Sequence, residues 1–221
     1  MSSTVKEARI VLVDDHPMVR ERLREVIERE ADLLVCGEAE SRNQALDVVA
    51  ETSPDLVIID LSLKDSHGLE LIKDIHVRHP RLLMLVLSMH DGVMHAERSI
   101  RAGAHGYITK QEATKKILRA IRYVLDGGLY LSETMAKQIA SQVVGNKNRQ
   151  SIGIDRLTDR ELQVFELIGQ GLTVRQIADN MHLDFKTVET YRARIKEKLN
   201  LKDATEVLQF AIGWRHSDTA V

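Results

Sequence analysis

From residue 9 to about residue 125, short apolar runs alternate with segments of helical period. The runs are Ile10–Val13, Leu33–Cys36, Leu56–Ile59, Leu82–Leu87 and Gly106–Ile108. Between them lie Pro17–Glu30, Arg42–Glu51, Gly68–Arg78 and Val93–Ala102, with Thr114–Leu125 closing the series. Short, continuous apolar strands separated by helices predict βαβ units: a parallel sheet buried on both faces, with the helices as its cover. Pro17 suits the first turn of a helix, and Gly103 and Gly127 suit helix ends. On this plan the segment makes a complete domain.

Charged residues stand where three of those runs give out: Asp14 and Asp15 after RIVLV, Asp60 after LVII, and Lys110 after HGYIT. In an open parallel sheet, ligands bind in the crevice beyond the carboxyl ends of the strands. Three carboxylates meeting one ammonium there are poorly balanced as a structural ion pair. They are well suited to a metal-assisted phosphoryl group.

With Ser88 after the fourth run, the order D-D, D, S, K resembles the receiver domain of bacterial response regulators over about residues 8–126. That resemblance implies a doubly wound sheet of order 2-1-3-4-5, with Asp60 accepting a phosphoryl group from a sensor histidine kinase. Clustered carboxylates need an offsetting cation, and oxygen ligands of this kind suit Mg²⁺. Asp15, Asp60 and the backbone carbonyl of Ser62 are expected as direct ligands, with Asp14 acting through water. Asp60 is then the nucleophile, and Lys110 stabilises an equatorial phosphoryl oxygen. The resemblance makes Ser88 and Tyr107 a switch pair, with Ser88 placed to donate to the new phosphoryl oxygen and Tyr107 expected to rotate inward behind it; on its short strand alone, Tyr107 reads equally as a half-buried aromatic. Lys64 and Gln111 stand where many receivers have proline, and Ser62 and His90 flank the route by which water reaches the phosphoryl group.

After residue 126 the pattern changes. The turn Asp126–Gly128 and a helix capped by Ser132, running to about Val144, precede a polar stretch at 145–153, so residues 127–153 are expected to be a helical linker and flexible loop. Beyond it the chain reads as short helices, Asp159–Gly169, Val174–Met181, Phe185–Leu199 and Ala204–Ile212, introduced by Thr158, Thr173, Asp184 and Asp203, with a frayed tail from Arg215. The markers LT-RE at 157–161, GLT at 171–173, IA at 177–178, KTVETY at 186–191 and the KL-N-L run at 198–201 resemble the LuxR-type helix-turn-helix domain of NarL/FixJ regulators. A small all-α DNA-binding domain at 154–214 is what that implies. A helix-turn-helix places its second helix in the major groove, here Lys186–Leu199. Residues 186–202 carry six basic against two acidic residues, a local excess of four positive charges in a chain whose net charge is -2, which is the footprint of phosphate contacts. Lys186, Glu189 and Thr190 are expected at base edges, and Thr173, Arg175, Thr187, Arg192 and Arg194 at backbone phosphates.

Together these features describe a transcription regulator controlled by phosphorylation, catalysing only its own phosphotransfer, and dimeric on DNA through Val207, Leu208 and Ala211. The resemblance to NarL/FixJ regulators implies further that, when unphosphorylated, the receiver covers the recognition helix. Cys36 cannot form an internal disulfide and reads as a small core residue, and no run approaches membrane-span length, so a soluble cytoplasmic protein without membrane contact is expected. Nine histidines are scattered with no zinc-site spacing. Two alternatives share the acidic residues. One is a haloacid dehalogenase-type hydrolase, whose acid/base aspartate sits two residues past the nucleophile, where this chain has Ser62. The other is a receiver whose phosphorylation site is idle.

Overall fold

The computed structural model describes residues 7–63, 68–89, 93–133, 135–137, 139 and 153–219. Lys64, His67 and His90, the capped helix beyond Ile139 and the linker stretch 145–152 lie outside them. The chain divides into two compact units, Met1–Ile139 and Ala140–Val221.

The first unit alternates β1 (Ala8–Val13), α1 (Pro17–Ile27), β2 (Leu33–Ala39), α2 (Arg42–Thr52), β3 (Leu56–Asp60), α3 (Gly68–Arg78), β4 (Leu83–Ser88), α4 (Val93–Arg101), β5 (Gly106–Thr109) and α5 (Lys110–Leu125). The strands are parallel, in the order β2-β1-β3-β4-β5. Alternation within each strand divides the core. Val11, Val13, Val57, Ile59, Met84 and Val86 face Val49 of α2, Ile72 and Ile75 of α3 and Ala96 of α4. Ile10, Leu12, Leu56, Ile58, Leu85, Leu87 and Ile108 face Leu23 and Ile27 of α1 and Ile117, Ile121 and Val124 of α5. Burial on both faces is why the strands read as unbroken apolar runs.

Three details differ from the sequence expectation. α5 begins at Lys110, not Thr114, because the Thr109 side chain caps it by accepting from the Glu112 N–H. Cys36 is only partly buried: the β1–β2 register shifts so that Ile10 pairs with Val35 and Val11 with Gly37, and Cys36 is the extra residue between them. Its Sγ–H donates to the Ile10 carbonyl at 3.5 Å. Beyond α5, Tyr130 bridges Gly106 and accepts from the Tyr107 N–H at 2.8 Å, so the chain adds to the β5 edge before Met135 packs into the core.

The second unit has a single 3₁₀ turn at Ile154–Arg156, then α6 (Asp159–Gly169), α7 (Val174–Met181), α8 (Phe185–Lys198) and α9 (Ala204–Thr219). Thr158 with Glu161 and Thr173 with Gln176 form capping boxes, Asp184 caps α8, and Asp203 accepts from the Glu206 N–H at 3.0 Å. Leu162, Phe165, Ile168, Ile177, Met181, Val188, Ile195, Val207 and Ala211 are buried. Phe165 stacks at a tilt on Phe210 and Trp214. α9 continues to Thr219, past the expected end at Ile212 and through most of the expected frayed tail. Val207 and Ala211 are core residues of this unit and are not available for a dimer contact; Leu208 and Ile212, 37% and 38% exposed, form the outward apolar pair.

Gly68 opens α3 where the backbone passes closest to the end of β3. A Cβ there would lie 2.4 Å from the Asp60 carbonyl oxygen and 2.7 Å from the Leu61 Cα. Backbone atoms cannot swing aside, so Gly68→Ala is expected to destabilise the first unit by about 1–3 kcal/mol in chemical denaturation. A wild-type midpoint in the variant would show that α3 is free to shift.

Candidate functional site

The strand order sets the geometry. β1 and β3 are neighbours, so Asp14 and Asp15, which follow β1, meet Asp60, the last residue of β3. β4 ends at Ser88, which pairs with Thr109, the last residue of β5. Because α5 starts with no intervening loop, Lys110 is delivered to the same end of the sheet. All four tips therefore converge.

Asp14, Asp15, Asp60, Ser88 and Tyr107 are buried. Lys110 Nζ donates to Asp14 Oδ2 at 2.7 Å and to Asp60 Oδ2 at 2.8 Å. The Ser62 N–H donates to Asp60 Oδ1 at 3.2 Å. Burial, with the neighbouring Asp14 carboxylate, pushes Asp60 above the ordinary carboxylate value, against the pull of Lys110. Burial works against the charge of Lys110, but the Asp60 and Asp14 carboxylates outweigh it and hold the ammonium above its ordinary value. One cation thus partly offsets three acids. Asp15 Oδ1 is buried and accepts no hydrogen bond.

Two residues that the sequence reading left out also reach the site. His16 Nδ1 lies 2.7 Å from Asp15 Oδ1 and 3.2 Å from Asp14 Oδ1, the former a close approach without hydrogen-bond alignment. Asp14, Asp15, His16 and Asp60 together offer ligand atoms within 4.8 Å of one another. Adjacency to the acid pair was the available signal for His16. Arg20, on α1, donates to the Asp14 backbone carbonyl and pairs with Glu38 of β2, clamping the turn after β1. No local pattern announces that contact, which spans three elements. Tyr107 is fully buried, not half-buried, and packs among the core residues on the α3 and α4 side of the sheet.

In the second unit the residues proposed for DNA contact cluster at the start of α7 and along α8. Thr173, Arg175, Lys186, Thr190 and Arg194 are exposed, and Thr187, Glu189 and Arg192 partly so. Several polar groups are already engaged within the helix. The Thr187 hydroxyl donates to Asp184 Oδ2 at 2.6 Å, the Thr190 hydroxyl to the Lys186 carbonyl at 2.9 Å, and the Thr173 hydroxyl to Gln176 Oε1 at 2.9 Å. Arg192 pairs with Glu189 at 2.8 Å. Lys198, at the far end of α8, donates to Glu161 of α6 at 2.6 Å and ties the two helices together.

The family profile described as "Response regulator receiver domain" matches residues 10–122, and that of the "Bacterial regulatory proteins, luxR family" matches residues 155–211. The chain is 34% identical to the transcriptional activator protein ExaE of Pseudomonas putida, over 92% of this chain and 95% of that one. It is 34% identical to the DNA-binding transcriptional activator DevR/DosR of Mycobacterium tuberculosis, over 95% and 96%. A solved structure of RcsB from Salmonella enterica serovar Typhimurium, bound to promoter rprA with the phosphomimetic BeF3-, shares the fold. It has 23% identity and a TM-score of 0.62, over 93% of this chain and 98% of that one.

Burial alone would raise the Glu161 carboxyl, but Lys198 and the Thr158 donors hold it below the ordinary glutamate value of 4.5. A depressed carboxylate contributes stability that is present above its ordinary value and lost as pH falls through the lower folded value. Trp214, the only tryptophan, reports on this unit. Its urea midpoint is expected to fall as pH drops below 4.5. Glu161→Gln should lower the neutral-pH midpoint and flatten that acid slope; an unchanged slope would mean that the bridge carries none of it.

Proposed function

The chain belongs to the response regulators that join a receiver domain to a LuxR-type DNA-binding domain, and we propose that phosphoryl transfer to Asp60 controls its binding to DNA. The observation that carries this reading is Lys110 bridging Asp14 and Asp60 in a buried acidic cluster, where Asp14, Asp15, His16 and Asp60 offer ligand atoms within 4.8 Å of one another.

An oxygen-rich pocket with net negative charge fits Mg²⁺, with Asp15, Asp60 and the Ser62 backbone carbonyl as ligands and Asp14 acting through water. When bound, the ion neutralises charge on the incoming phosphoryl group. Asp60 supplies the nucleophile: an Oδ attacks phosphorus, the P–N bond to the kinase histidine breaks, and the imidazole leaves. Lys110 Nζ, within hydrogen-bond reach of Asp60 Oδ2, is suited to an equatorial oxygen of the new group. Gating by the phosphoryl group, which adds about −1.5 to −2 charge and three acceptors, falls to Ser88 at the end of β4, with Tyr107 on β5 as its partner. The regulator catalyses only this transfer to itself.

The cationic α8, presented by α7, is the element for DNA. Lys186, Glu189 and Thr190 read base edges, and Thr173, Arg175, Thr187, Arg192 and Arg194 hold phosphates. Use of Glu189 as a base reader requires it to leave or share Arg192. Two-fold DNA sites call for a dimer once phosphorylated, with Leu208 and Ile212 as its outward apolar pair. Both relatives are activators by name, which supports activation as the output. Residues 8–126 act as receiver, 127–153 as linker and 154–214 as DNA reader. Cytoplasmic residence follows from the DNA partner, and among the described residues no helix is long and apolar enough to cross a membrane.

Wild-type chain is expected to take label from a phosphorylated kinase or acetyl phosphate only with Mg²⁺ present, and Asp60→Asn to take none; equal labelling of the variant would remove both site and mechanism. Arg194→Ala should weaken binding evenly across DNA sequences and reduce the salt slope of log K by about 1. Sequence-selective loss would move Arg194 to the base edges.

A further inference from the structure

Phe185 is 57% exposed at the first position of α8, in a unit whose Phe165, Ile177, Val188 and Ile195 are all buried. Helical side chains lean toward the N-terminus, so Phe185 leads the helix, with exposed Lys186 and Thr190 behind it. Beside it stands Asp184, whose carboxylate accepts from the Thr187 N–H at 2.9 Å and from the Thr187 hydroxyl at 2.6 Å. Those bonds to Thr187 hold Asp184 below the ordinary carboxylate range, so the tip keeps its negative charge. A carboxylate and a phenyl ring are poor partners for phosphate. The cations that suit the backbone, Arg192, Arg194 and Lys196, lie about two to three turns further along.

The tip of α8 is therefore built for base edges, which is where the leading residues of a recognition helix fall. Among the major-groove edges of the four bases, the apolar group is the thymine 5-methyl. We propose that Phe185 is a specificity-determining residue that packs on a thymine methyl group in each half-site. The inference rests on the DNA-binding reading above and adds a residue outside its contact set.

The test uses the full chain with acetyl phosphate and Mg²⁺. Randomised duplexes are selected by the wild type, and each thymine of the selected site is then replaced by deoxyuridine, which removes only the methyl. One replacement per half-site is expected to weaken wild-type binding about threefold. Phe185→Ala should bind the thymine duplex more weakly and be indifferent to that replacement, while Phe185→Leu should retain part of the sensitivity. Because the side chain is exposed, both variants should keep the wild-type urea midpoint. Equal loss in wild type and Phe185→Ala at every position would overturn the proposal, as would a wild type insensitive to all replacements. Arg194→Ala, losing affinity for both duplexes by the same factor, keeps these outcomes apart from failure of the DNA reading itself, which falls if the wild type selects no site.

Discussion

A single ammonium, on the first residue after β5, reaches a carboxylate that follows β1 and another that ends β3. Each bridge spans many residues of sequence and depends on a different strand neighbour. If β5 ended one residue later, or a loop intervened before α5, Lys110 would leave the pocket. The two acids would then be buried side by side with their repulsion unmet, an arrangement that costs several kcal/mol per ion. The parallel sheet, the direct β5–α5 junction and the close approach of Gly68 to the Asp60 carbonyl all serve this one constellation. Even so, one cation leaves negative charge in excess. That excess is the charge that the proposed divalent ion would offset.

The second unit answers a different demand. α8 must offer cations on one face while staying fixed on a small core. Val188 and Ile195 anchor one side of it, and Lys198 is tied to Glu161, itself part of the box that caps α6. The same glutamate thus starts one helix and holds another. Caps on α6, α7 and α8 satisfy the amide groups that such short helices would otherwise leave open.

What could be read from the chain follows from the range of each signal. Strands buried on both faces leave apolar runs, so β1, β3 and β4 were legible to within a residue or two, and the pocket acids with them. The N-cap residues Thr158 and Thr173 marked the starts of α6 and α7, where the structure completes each as a capping box with Glu161 and Gln176. The same kind of signal, Thr109 with Glu112, would have started α5 four residues earlier than apolar periodicity placed it. Contacts that depend on a third element stayed hidden. The Arg20 clamp on Asp14 needs Glu38 from β2, and the extra residue at Cys36 shows only once β1 and β2 are paired. Val207 and Ala211 looked suited to an interface because helical spacing reports an apolar face without saying what covers it. Here α6 covers it: the Ala211 carbonyl oxygen stands 2.8 Å from where a Cβ on Gly169 would lie. The hydrolase alternative loses ground on chemistry: Ser62, where that family needs a carboxylic acid, offers its backbone N–H to Asp60.

That the strand tips together hold one divalent ion is tested most directly by electron paramagnetic resonance of Mn²⁺ titrated into metal-free full-length chain. One ion per chain, displaced by Mg²⁺ and bound at least tenfold more weakly by Asp15→Asn, is the predicted result. Equal binding by the variant, or no stoichiometric site in the wild type, would contradict it.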